Sequence, residues 1–169
     1  GAGKSMNGQN ELLTIAEIAI SIAGFAGMIV AFANRGRLTL ADQLRFLGVF
    51  VIAFSALLLA FFPIALFYGD FRSQQVWRIS SIVMVFWSIL GFIPYPFALR
   101  KIVAELEGHT LLPVALFLFP FIGNIILQIL NSSAWLWKPN FIPYLAGVLT
   151  YLYIASLFFV LIVIFRPSK

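Results

Sequence analysis

Apolar residues run almost unbroken through five stretches of the chain, residues 12–33, 44–68, 76–99, 111–130 and 141–165. A hydrocarbon core about 30 Å thick takes roughly 20 residues of α-helix to cross, and every stretch reaches that length. The polar segments between them are short; the longest, residues 100–110, has 11 residues. The pattern predicts one all-α domain over residues 1–169, a polytopic membrane helix bundle with five transmembrane helices.

Local signals agree with that division. Thr39-x-x-Asp42 forms a helix-start pair ahead of the second span. Gly69-Asp70 should close that span and Ser73 should cap the third. Pro94 and Pro96 should kink or end the third span, because proline lacks the amide donor and clashes with the preceding turn. Beyond them Leu99, Ile102, Val103 and Leu106 recur at helical spacing, and Gly108 supplies a stop. This segment reads either as a short amphipathic helix on the membrane surface or as an extension of the third span.

Composition narrows the class. With 62% hydrophobic and 10% charged residues and a mean hydropathy of +1.03, the chain could not cover itself with polar surface in water. The 19 phenylalanines suit lipid contact and packing and need no cofactor to explain them. There is no cysteine, which excludes disulfides, thiolate zinc sites, iron–sulfur clusters and cysteine nucleophiles. His109 is the single histidine, which excludes two-histidine haem ligation within one chain. No metal ligand set, cofactor or catalytic group is expected.

The net charge of +5 suggests nucleic acid at first, but the basic residues sit at the ends of apolar spans and build no groove with interleaved aromatics. They set orientation instead. Arg35, Arg37, Arg45, Arg100, Lys101, Arg166 and Lys169 fall on one side, and Arg72, Arg78 and Lys138 on the other. The positive-inside bias predicts, for a multi-pass membrane protein, an N-terminus outside and a C-terminus in the cytoplasm. Residues 1–5 read as a remnant ahead of a native start at Met6; Gly3-Lys4-Ser5 copies only the tail of a phosphate-binding loop.

Polar residues inside the spans are the candidate chemistry, because they are costly in hydrocarbon and usually face protein or water. Glu17 lies in the first span, with Ser21, Gly24 and Met28 following on one face. It is either an ion or proton site or a carboxyl group near the outer interface, hydrogen-bonded or protonated. On a neighbouring face Ala19, Ala23, Gly27 and Ala31 recur every four residues, a small-xxx-small ladder for close helix packing in the bundle or between subunits. In the fourth span Pro113, Pro120, Asn124, Gln128 and Asn131 share one face. Pro120 should free the carbonyl of Leu116, and Asn124 and Gln128 either line a watery path or tie helices together. Ser81, Ser88, Gly91 and Tyr95 in the third span, and Tyr144, Gly147 and Tyr151 in the fifth, read as helix contacts. Trp135 and Trp137 read as interfacial tryptophans.

The run Ala16-Glu17-Ile18-Ala19, then Ala23-Gly24-Phe25-Ala26-Gly27, the pair Arg35 and Arg37, Pro63, and Val76-Trp77-Arg78 resembles a group of uncharacterised small multi-span bacterial inner-membrane proteins. The likeness covers about the first 80 residues and implies only bacterial origin and membrane location.

Two classes of function are expected, neither an enzyme, since the carboxylates are scattered over both sides. One is a homo-oligomeric channel or small carrier for ions or protons, with Glu17, Ser21, Asn124 and Gln128 along the pathway. The other is a non-catalytic structural or accessory subunit of a larger membrane complex. The expected partners are the lipid bilayer and either further copies of the chain or another membrane protein.

Overall fold

In a computed structural model the described residues are 6–33, 40–92 and 111–164. They form five helices: α1 (Gln9–Ala33), α2 (Leu40–Tyr68), α3 (Ser73–Phe92), α4 (Leu111–Ser133) and α5 (Phe141–Ile164). Four of them, α1, α2, α4 and α5, are long and apolar enough to cross a membrane. The described part of α3 is more polar, because Gln74, Gln75 and Arg78 occupy its first two turns. The segment expected to form a surface helix after Pro96 lies outside the described residues, as do His109 and six of the basic residues that argued for orientation.

Helix ends follow capping chemistry, with one departure from expectation. The α2 C-terminus closes at Gly69-Asp70, as expected, with Asp70 as the left-handed residue: it takes a φ of 64°, its amide donates to Phe67 O, and the Phe71 amide donates to Leu66 O. That is a Schellman closure, and aspartate tolerates the left-handed region better than most side chains. Ser73 does not cap α3. The Arg72 carbonyl accepts from Val76 N, and Gln75 Oε1 accepts the Arg72 amide at 3.2 Å, so Arg72 takes the cap position. At the start of α5, Asn140 Oδ1 accepts the Ile142 amide at 3.1 Å.

The central helix is α5, which contacts all four others; α1 packs along α2, and α3 along α4. Small residues set the α1–α2 approach. Ala16 and Ala19 share one apolar cluster with Ala56, Leu59 and Ala60 of α2. One end of the bundle gathers Met6–Gln9, the α2–α3 turn and the α4–α5 connection. There Gln9 reaches Tyr68, Gly8 at φ 82° abuts the Phe141 ring, and Trp77 of α3 lies against Phe141 and Tyr144. A Cβ on Gly8 would collide with that ring, so both its conformation and its surroundings call for glycine.

Pro63 stands inside α2 and is fully buried. Having no amide hydrogen, it leaves the carbonyl of Leu59, four residues earlier, without its helical partner. The hydroxyl of Tyr144, itself fully buried in α5, donates to that carbonyl at 2.6 Å. A neighbouring helix thus supplies the bond that proline removed, which is what a membrane interior requires. Tyr144→Phe is expected to destabilise the protein in detergent unfolding by about 1–2 kcal/mol. In a Pro63→Ala background, where the restored amide reaches Leu59, the same change should cost less than about 0.5 kcal/mol; equal costs in both backgrounds would refute the assignment.

Candidate functional site

The polar stripe of α4 faces inward. Asn124, Gln128 and Asn131 are all buried, together with Ser80, Ser81 and Ser88 of α3. Ser81 Oγ donates to Gln128 Oε1 at 2.9 Å and accepts from Asn131 Nδ2 at 2.8 Å. Gln128 Nε2 donates to the Pro143 carbonyl of α5 at 2.7 Å and to Asn124 Oδ1 at 3.2 Å. These bonds join α3, α4 and α5.

Asn131 is the hub. Its Nδ2 also donates to the Asn140 carbonyl at 3.2 Å, and its Oδ1 accepts the Asn140 amide and the Trp137 indole, each at 3.1 Å. The connection from α4 to α5 is therefore folded over a single carboxamide. Trp137, expected only as an interfacial aromatic, is one of its hydrogen-bond donors. Gly147 makes room for the other amides: a Cβ there would come within 2.5 Å of Gln128 Nε2 and Met84 Sδ and 2.6 Å of Asn124 Oδ1. That close approach was visible in the sequence only as a small residue between two tyrosines.

Asn124 is the weakest member. It accepts one bond at 3.2 Å, and its Nδ2, like Ser80 Oγ, has no partner among the described residues.

Glu17 and Ser21 do not join this cluster. Both are exposed on the outer face of α1, and the Ser21 hydroxyl turns back to the Glu17 carbonyl at 2.8 Å. The expected four-residue pathway is thus split: two members are interior carboxamides, and two stand on the outside of the bundle. The physical reason is helix rotation. α1 buries its alanine side against α2, and that turns Glu17 away from α5.

The small-residue ladder follows the same rotation. Ala19 is buried, Ala23 and Gly27 are half-buried, and Ala31 is exposed. A Cβ on Gly27 would lie 3.4 Å from the Phe50 ring, so at this point the ladder meets α2 of the same chain.

What remains outward on α1 is informative. Asn10, Thr14, Glu17, Ser21, Gly24 and Met28 are all exposed and fall within an arc of about 80° at 3.6 residues per turn. Ile18, Ile20 and Phe25 flank that arc and are exposed too. The middle of the outward face is therefore its most polar part. A helix facing only lipid would show the reverse.

No protein-family model, curated protein or solved structure matches the chain.

Asn131→Ala and Asn124→Ala remove the same atoms from buried sites, so the difference between them isolates the hydrogen bonds. Asn131→Ala is expected to cost about 2 kcal/mol or more, and Asn124→Ala less than about 1 kcal/mol beyond the shared packing loss, in reversible unfolding from micelles. Equal losses would contradict the hub assignment.

Proposed function

We propose that the protein works as a homo-oligomeric membrane channel or small carrier for ions or protons, with the outward polar stripe of α1 facing a shared axis. One observation carries this reading: Glu17 stands at the centre of the exposed face of a membrane helix, among Asn10, Thr14, Ser21 and Gly24. A carboxyl group about 12 Å along the helix from Gln9 is costly against acyl chains, so in the membrane that face needs a companion surface or water. Copies arranged around an axis supply both, and the stripe would then line the passage. In this reading α3 is the fifth span, the N-terminus is outside, the C-terminus is cytoplasmic, and the membrane is the inner membrane of the cell.

The interior carboxamides have a different part. Gln128 and Asn131 are engaged in bonds between helices, so they hold the bundle and do not line the path.

A second reading rests on the same stripe. As a non-catalytic accessory subunit, the protein would lay α1 against a helix of a different chain, which would bring a hydrogen-bond donor or a cation to Glu17.

The two readings separate in liposomes. For permeation, purified protein alone carries protons or monovalent cations. Glu17→Gln then lowers the flux by about tenfold or more, the scale of one charge-assisted interaction. Asn124→Leu leaves the flux unchanged and alters only stability. Absence of flux from an oriented, folded sample, with a different chain co-purifying through α1, would overturn permeation in favour of the accessory role.

A further inference from the structure

The half of the bundle away from the Asn131 hub contains a cavity of about 190 Å³ between α2, α3, α4 and α5. Its walls are mainly hydrocarbon: Ile52, Leu90, Phe117, Leu118, Phe121 and Ile154. Three lining residues carry polar atoms, and all three are already bonded. The Trp87 indole donates to Ser55 Oγ at 2.9 Å, Ser55 Oγ donates to the Val51 carbonyl at 2.7 Å, and Tyr151 OH pairs with Ser88 Oγ at 2.7 Å. Water entering this space would not find the two to four partners that hold a buried water in place. Dry apolar cavities of about 150 Å³ accept small hydrocarbons such as benzene, so the volume suits an apolar guest.

Position identifies the guest. Ser55 is 13 residues from the end of α2 and Tyr151 is 10 residues from the start of α5. Val51 is 17 residues from the end of α2, and Gly91 is 18 residues from the start of α3. At 1.5 Å per residue the cavity spans about 15–27 Å from the hub end, from the middle of a hydrocarbon core about 30 Å thick into its far half. The lining residues that reach the outer surface, Val51 on α2 and Trp87, Leu90 and Gly91 on α3, open it sideways about 21–27 Å from the hub end, still within the hydrocarbon core. Gly91 leaves the opening clear, since a Cβ there would meet nothing within 4 Å. Chain segments, not headgroups, are what a bilayer presents at such a depth.

We infer that this cavity binds the end of a lipid hydrocarbon chain, acyl or isoprenoid, inserted from the bilayer between α2 and α3. The site is separate from the α1 stripe and does not depend on the permeation reading.

The test uses the full chain in phosphatidylcholine vesicles with a fatty acid carrying a diazirine at its chain end. Labelling should saturate and map to the peptides holding Leu90, Phe117 and Tyr151. Gly91→Phe, which fills the opening from α3, and Val51→Trp, which fills it from α2, should each reduce that labelling about tenfold without lowering thermal stability. Having two independent fillings keeps the test decisive if one variant fails to fold. Competition by excess oleate assigns an acyl guest, and competition by a polyprenol at concentrations where oleate is ineffective assigns an isoprenoid. Unsaturable labelling spread equally over outward residues such as Phe54 and Phe86, and unchanged in the folded filling variant, would overturn the inference.

Discussion

A polar group placed at membrane depth has no water to turn to, and that constraint organises most of what this bundle does with its few polar residues. Pro63 breaks one helical hydrogen bond, and Tyr144 reaches over from α5 to replace it at 2.6 Å. Asn131 in turn binds α3 through Ser81 and the α4–α5 connection through Asn140 and Trp137. Each bond gains little alone, because the unfolded chain in a membrane also finds partners. Their value lies in the cost of leaving the same groups unpaired, which selects one rotation for each helix.

These bonds concentrate at one end of the molecule. The N-terminal residues, the Schellman turn at Asp70 and the aromatic contacts of Trp77 meet there, so that end is tightly closed. Further along, the helices enclose an apolar cavity whose polar neighbours are already hydrogen-bonded. The two halves differ for one reason: the polar residues of α3 and α4 cluster toward the capped end, and where they stop the interior is filled by side-chain shape alone.

Glu17 stands outside this internal network. It lies outward because the alanine side of α1 has the better packing partner in α2, and close small-on-small contact outweighs drawing one carboxyl group inward. The result is a surface that a single copy in lipid leaves incomplete. This is the physical ground for proposing an assembly, and it separates the outward stripe from the interior carboxamides, which the single chain already accommodates.

Much of the architecture was legible in the residues. The apolar runs, the polar gaps and the lack of charge determine an all-helical chain with spans of membrane length, because period and length are local properties. The inward stripe of α4 was legible as well, since Asn124, Gln128 and Asn131 fall on one face whatever they contact. Which faces meet was not legible. Ala56 and Ala60 carry no mark of having α1 as their neighbour, and Gly147 none of the amides packed against it. The partnership of Tyr144 with the carbonyl freed by Pro63 joins positions 85 residues apart. The sequence by itself determined which segments are helical and apolar enough to enter a membrane and which polar residues they carry. Only the tertiary structure decided that Glu17 turns outward while Asn131 turns in, because rotation about a helix axis is settled by the packing of neighbours and by nothing within the helix.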